Sequence, residues 1–240
     1  MQADGPRGWG APLHARVLDD TAVAAATTVL DLGCGTGEFA AAAVDRGAVL
    51  TGIDHDPAAV AEAARAVPGA TFALGDAHDL PPGSFDVVVA VQVLMHVANP
   101  LVLLRAAAAR GVLVSVTTWG REDECDVRAF GEAMAPWLPP RRPSGGPQPV
   151  TEPDRLLQLA DMAGLRDPVV AEVVCPFRYP DEEALLAPLF GTGIGRHAIN
   201  RGGPVAVRAA VLGRCAEFAQ PDGSYVLGNR FRVLTARSRP

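Results

Sequence analysis

Residues 27–47 read TTVLDLGCGTGEFAAAAVDRG. A β-branched and aliphatic run ends at Gly33, a turn of three alternating glycines follows (Gly33, Gly35, Gly37), and an Ala-rich helical stretch runs to Gly47. Glycines in such a turn let the backbone approach a ligand and take φ values that a side chain resists. Working outward, AVLTGID (48–54) repeats the strand pattern and PAAVAEAARAV (57–67) the helical one, with Pro57 suited to a first turn. ATFALGD (70–76), FDVVVAVQV (85–93) and VLVSVTT (112–118) read as three further strands, with LVLLRAAAARG (101–111) as a helix before the last. Apolar strands alternating with amphipathic helices predict a parallel sheet covered on both faces.

After Trp119 the rhythm changes. REDECDVRAFGEAMA (121–135) reads as helical, and PWLPPRRPSGGPQPV (136–150) carries too many prolines for a packed element and predicts a lid or linker. TEPDRLLQLADMAGL (151–165) reads as a helix with Thr151 as N-cap and Gly164 as its stop. PVVAEVVCPF (168–177) is a strand. DEEALLAPLF (181–190) and PVAVRAAVLGRCAEF (204–218) are helices joined by a loose GTGIGRHAINRGG (191–203), and SYVLGNRFRVLTAR (224–237) is a last strand.

Of 240 residues, 49% are hydrophobic and 20% charged, a globular balance, and the formal charge of −6 supplies no general attraction for nucleic acid. All 21 basic residues are Arg, which excludes a lysine Schiff base and a P-loop lysine. Residues 1–100 hold 4 Arg against 12 acids, and residues 196–240 hold 8 Arg against 2. Such an Arg-rich end suits either an anionic ligand or a solvated surface. Cys34, Cys125, Cys175 and Cys215 lie far apart and read as small buried hydrophobes, with no metal-ligand spacing. No apolar run is long enough to span a bilayer, and no signal segment opens the chain, so a cytoplasmic protein, monomeric or homodimeric, is expected.

The turn's spacing narrows the ligand. A dinucleotide fingerprint wants G-x-G-x-x-G facing a pyrophosphate; here the third glycine falls one residue early and Glu38 stands in its place. With Asp31 two residues before Gly33, the site suits a ligand carrying a sulfonium or ammonium better than a diphosphate. Asp54, 21 residues beyond Gly33, can accept from both hydroxyls of a ribose, a role shared by NAD and S-adenosylmethionine (SAM). Asp76 can accept from an exocyclic adenine amine, with the Ala77 N–H donating to a ring nitrogen.

VLDLGCGTG, GID, GDAHDLP and FDVVVAVQVLMHV together resemble the successive motifs of class I SAM-dependent methyltransferases, over residues 28 to about 120. TTWGREDECDVRAF, CPFRYPDEEALLAPL and PDGSYVLGNRFRVLTAR are similar to a bacterial small-molecule, secondary-metabolite subgroup. The resemblance implies one Rossmann-like domain over 1–240. Its doubly wound, mostly parallel sheet has seven strands, the last antiparallel, with a small helical cap (181–220) inserted before that strand. An N-terminal helical flap (1–27) carries Trp9 and Gly10 over the cofactor, the SAM-binding core is 28–120, and 136–150 is the lid.

By the same resemblance Gly33, Gly35 and the Asp31 region hold the amino-acid end of SAM, Gly37 also binds the cofactor, Asp54 takes the ribose, His55 or Ile53 flanks the adenine, and Asp76 and Ala77 read its edge. Gln92 contacts the cofactor from the other side. His96, in VLMHV, is the candidate general base, since an imidazole titrating near ~6.5 suits proton removal. Trp9, Met95, Trp119, Arg178, Arg196 and His197 are candidate substrate contacts, with Arg196 able to grip a carboxylate. The expected reaction is methyl transfer from SAM, leaving S-adenosylhomocysteine (SAH), to an O or N nucleophile or a carboxylate of a small organic or modified-peptide acceptor. Three alternatives use other chemistry: a SAM-assisted cyclisation or rearrangement without methyl transfer, an NAD(P)-dependent oxidoreductase, and a non-catalytic SAM-binding module.

Overall fold

The computed structural model describes residues 5–76, 80, 82–140 and 149–239. Seven strands form one sheet: β1 (Thr28–Leu32), β2 (Val49–Asp54), β3 (Thr71–Leu74), β4 (Phe85–Ala90), β5 (Gly111–Trp119), β6 (Arg166–Tyr179) and β7 (Tyr225–Arg237). Their order is β3-β2-β1-β4-β5-β7-β6. β1 pairs in parallel with β2 and β4, and β4 with β5, whereas β7 runs antiparallel to β5 from Leu113↔Arg237 to Trp119↔Phe231. This is the doubly wound Rossmann-like sheet expected from the sequence, with the strand order reversing between β1 and β4.

The chain divides into two compact units, and the division falls inside β6 and β7. The first unit comprises Pro12–Gly120, Gln148–Val173 and Phe231–Pro240. Its interior strands are nearly continuous apolar runs because both faces are covered, and residues 29–32 and 114–118 are all buried. Helices α2 (Glu38–Asp45), α3 (Pro57–Ala66), α4 (Pro100–Ala108) and α6 (Pro153–Met162) accompany that sheet. Leu30, Val88, Leu104, Val114, Leu156 and Leu234 sit in one core cluster. Two helix starts follow local chemistry: Asp56 caps α3 by accepting from Ala58 N, ahead of Pro57, and Asn99 caps α4 by accepting from Leu101 N, ahead of Pro100. One arginine is fully buried here: Arg232 donates to the Thr151 carbonyl and to Glu172.

The second unit comprises Met1–Ala11, Arg121–Pro147 and Val174–Arg230. It contains α5 (Arg128–Met134), α7 (Glu182–Gly191), α8 (Gly193–Gly202) and α9 (Pro204–Cys215). Asn229 Oδ1 accepts from Val127 N and Asp126 Oδ2 accepts from Gly228 N, which fastens the segment before α5 to β7. The short helix α1 (Ala11–Asp20) begins at the division between the units.

Four local expectations need correction. The segment 191–203, expected to be loose, contains α8: the Thr192 side chain caps it by accepting from Gly195 N, and Gly203 ends it at φ +79°. Two of its glycines mark close approach rather than a loop: a Cβ on Gly195 would collide with the Leu189 carbonyl and one on Gly202 with the Trp137 ring. β4 stops at Ala90 rather than at Val93, because Gln92 adopts φ +59° and both its backbone N–H and its side-chain amide donate to Thr117 Oγ1. β6 extends to Tyr179, so Arg178 and Tyr179 are its last residues rather than the residues after it. Helix α6 is preceded by Glu152, not capped by Thr151, and starts on Pro153. Of the expected lid, 141–148 lie outside the described residues. All four cysteines are free and buried, as small apolar side chains would be.

Candidate functional site

A cavity of about 510 Å³ opens at the carboxyl ends of β1, β2 and β3 and is lined wholly by the first unit. Gly33, Asp54, His55, Gly75, Asp76 and His96 supply its polar side, and Val93, Val97, Val102 and Leu103 an apolar wall. The glycine turn is fixed by its own backbone: Gly33 N and Cys34 N both donate to Ile53 O, and Gly37 N donates to Cys34 O. Gly75 N donates to Asp54 O, which ties the end of β3 to the end of β2.

The three glycines do different work. All have positive φ, +75°, +52° and +89° for Gly33, Gly35 and Gly37. A Cβ on Gly33 would meet Val93 Cγ2 at 2.5 Å, and one on Gly37 would press on Ala63 of α3 and on Val67 just after it at 3.2–3.3 Å. A Cβ on Gly35 would meet nothing within 4 Å, so backbone is open to a ligand there.

Electrostatically the site is acidic and under-satisfied. Asp31 is 1% exposed, and neither carboxylate oxygen has a hydrogen-bond partner. Burial, and then the charge of Asp54, push its carboxyl up to about 7. Burial, and then the charges of Asp31 and Asp54, push the Cys34 thiol up to about 12, as suits a small side chain filling the turn. Asp54 is also buried; its Oδ2 accepts from Gly35 N at 2.9 Å and its Oδ1 from Asp56 N at 3.0 Å. An ionised carboxylate offers about four acceptor positions, so acceptor capacity remains for a ligand. His55 Nδ1 lies 3.3 Å from Asp54 Oδ1 and is almost wholly exposed.

Of the residues singled out from sequence, Gly33, Asp54, His55, Asp76 and His96 line this one cavity, and Ile53 lies beside them. Gln92 sits in the turn after β4 with its Oε1 buried and unpartnered. Met95 is half-buried next to His96, and Trp119 ends β5 with its ring 4.4 Å from that of Phe231. Trp9, Arg178, Arg196 and His197 belong to the second unit. Trp9 packs there on Phe177, with ring centroids 5.2 Å apart, and Arg196 donates to Gly191 O from α8. Ala77 lies outside the described residues. Among those described, no three His, Cys, Asp or Glu side chains form a group able to hold a metal.

Sequence reasoning missed the apolar wall of Val93, Val97, Val102 and Leu103. These residues read as ordinary strand or helix core, and only the early end of β4 brings them round to the cavity. His14, for which the sequence suggested no partner, stacks edge-on against Phe39 at 5.7 Å, and burial pulls its imidazole down to about 4.

Residues 30–110 match the family described as a methyltransferase domain. The ubiquinone biosynthesis O-methyltransferase of Pseudomonas paraeruginosa is 39% identical over 102 residues, 40% of this chain and 44% of that protein. The enzyme of the same name from Idiomarina loihiensis is 30% identical over 151 residues, 58% of this chain and 61% of that protein. The chain thus spans less than two thirds of the length of these curated relatives. Among solved structures, the 4+2 cyclase SpnF shares the fold with a TM-score of 0.59 at 23% identity, over 94% of this chain and 80% of that one. The glycine turn, the acids closing β2 and β3 and the match to a methyltransferase domain over residues 30–110 all fall on the same half of the sheet.

Proposed function

We propose that this protein binds SAM in the cavity at the carboxyl ends of β1–β3 and catalyses methyl transfer to an oxygen or nitrogen nucleophile of a small organic or peptide acceptor. The observation that carries the cofactor reading is the buried Asp31 carboxylate. Left without partners it is costly, and a cationic ammonium on the ligand side of the glycine turn offsets that cost. The backbone opening at Gly35 leaves room for the ligand's amino-acid end. Asp54, with acceptor positions to spare, suits ribose hydroxyls, and Asp76, on the same cavity, suits the adenine amine. The unpartnered Oε1 of Gln92 is a second acceptor for the ligand.

When bound, SAM supplies an activated methyl group on a sulfonium. The protein's task is then alignment, exclusion of water and proton management. Val93, Val97, Val102 and Leu103 supply a dry wall. His96 faces the same cavity, with its backbone N–H fixed on Val93 O at 2.8 Å. In this reading it takes the proton from a hydroxyl or amine acceptor, whereas a carboxylate acceptor needs no base. His96→Ala is expected to lower turnover at least about tenfold with cofactor affinity little changed, measured by single-turnover assay beside a SAM titration. Unaltered turnover would make His96 a scaffold residue.

The Asp31 carboxyl yields a further expectation with a definite sign. Its pKa is raised on folding from 3.8 to about 7, so between those values the native state holds a proton that the unfolded chain has lost. Stability from this group is therefore highest at low pH, declines as pH rises through that window and levels off above about 7. Asp31→Asn is expected to raise the melting temperature of the ligand-free protein at pH 8, by about 2–4 °C per kcal/mol recovered, while weakening SAM binding. A variant that is less stable at pH 8 and binds SAM normally would contradict the role given to Asp31.

The acceptor's chemistry is tested by product mass. A gain of one CH₂ in the acceptor, with SAH formed, is the expected result. An isobaric product would instead place this chain with the non-methylating reactions for which this fold is also used, as in the cyclase named above.

A further inference from the structure

Two groups stand out among the arginines that crowd the carboxyl-terminal part of the sequence. Arg208 pairs with Glu182 and Glu183, Arg214 with Glu132 and Glu217, and Arg232 with Glu172. Arg237 and Arg239 have no carboxylate partner among the described residues, and they line a second cavity of about 390 Å³ together with Arg110 and Arg166. All four belong to the first unit. The cavity lies at the opposite edge of the sheet from the glycine turn, where β4, β5 and β6 begin and β7 ends.

Backbone pairing brings these guanidinium groups together from distant parts of the chain. Phe85 N donates to Arg110 O at 2.7 Å, Ser238 N donates to Val112 O at 3.0 Å, and Arg237 stands opposite Leu113 in the β5–β7 register. The side-chain contacts of the four are few and long: Arg110 reaches Gly83 O and Arg166 reaches Ser238 O, each at 3.5 Å. Ser238 also lines the cavity, and its hydroxyl is shielded from solvent without a partner. Two acids lie nearby in sequence. Asp86 is occupied by the Thr28 N–H and hydroxyl, and Asp167, next after Arg166, is not among the lining residues.

Four permanent positive charges around one cavity repel one another, in a chain whose net charge is −6. A single carboxylate would neutralise one of them. A di- or triphosphate carries several charges on oxygens whose geometry matches guanidinium forks. We propose that this cavity binds a small polyphosphate, either inorganic or the phosphate chain of a nucleotide, at a site separate from the cofactor cavity.

The test is calorimetric titration of the full chain with inorganic tripolyphosphate, and in parallel with GTP. Saturable one-to-one binding is expected, weakening as NaCl rises from about 50 to about 300 mM. R237Q/R239Q is expected to weaken it at least about tenfold, while R155Q, an exposed arginine bonded to Gln158, leaves it unchanged. Circular dichroism melts check each fold, and R110Q replaces the double variant if that variant does not fold. Equal affinity for the two ligands identifies the bare phosphate chain as what is recognised, and tighter GTP binding identifies a nucleotide. No saturable binding, equal loss in R155Q and R237Q/R239Q, or a short RNA duplex binding more tightly than tripolyphosphate would overturn the proposal.

Discussion

Asp54→Ala is expected to weaken SAM binding by at least about 100-fold, the equivalent of losing one or two hydrogen bonds to a charged acceptor at about 1.5–3 kcal/mol each. The loss has two sources. The carboxylate is the acceptor proposed for the ribose, and its two oxygens also hold Gly35 N and Asp56 N. Removing it therefore loosens the glycine turn at the position where the backbone is open to a ligand. Asp54→Asn separates the effects: one amide oxygen can keep Gly35 N, while the second acceptor is replaced by a donor. It is expected to fall between wild type and Asp54→Ala in calorimetric titration. Micromolar affinity retained in Asp54→Ala would remove Asp54 from the cofactor site.

Gly33→Val is expected to abolish SAM binding for a steric reason. A Cβ at this position would lie 2.5 Å from Val93 Cγ2, and φ is +75°, a region that β-branched residues resist. Strain of about 1–3 kcal/mol from the backbone and a similar amount from overpacking both fall on the turn that forms the cavity floor. Relief requires Val93 or the turn to give way, and a shift of the turn carries Gly33 N and Cys34 N off Ile53 O. Gly33→Ala, with the same φ but less bulk, is expected to weaken binding less while remaining folded in thermal melts. Wild-type affinity in Gly33→Val would show that the turn does not touch the cofactor.

Much of the fold was legible because the deciding signals are local. The alternation of strand and helix from Thr28 to Thr118, the positive-φ glycines and the prolines at helix starts are each fixed within a few residues. The misreadings came where tertiary contact overrides composition. Glycines in 191–203 read as loop punctuation, yet Gly195 and Gly202 are small because Leu189 and Trp137 press against them. β4 stops early because Gln92 bonds to Thr117, 25 residues away.

The site divides in the same way. Gly33, Asp54 and Asp76 were legible because each stands at, or just beyond, the end of a strand that the pattern already placed. Val97, Val102 and Leu103 carry no signal in sequence that separates a cavity wall from a core, and the grouping of Arg110, Arg166, Arg237 and Arg239 depends on strand register. The orphaned state of the Asp31 carboxylate is likewise visible only once its neighbours are placed.

The most direct test of the cofactor assignment is a calorimetric titration of the wild-type chain with SAM and with SAH, and with NADH alongside. Saturable binding of both adenosyl ligands, and none of NADH, is the expected result. Failure of SAM and SAH to bind, or NADH binding as tightly as either, would contradict the assignment of this cavity to SAM.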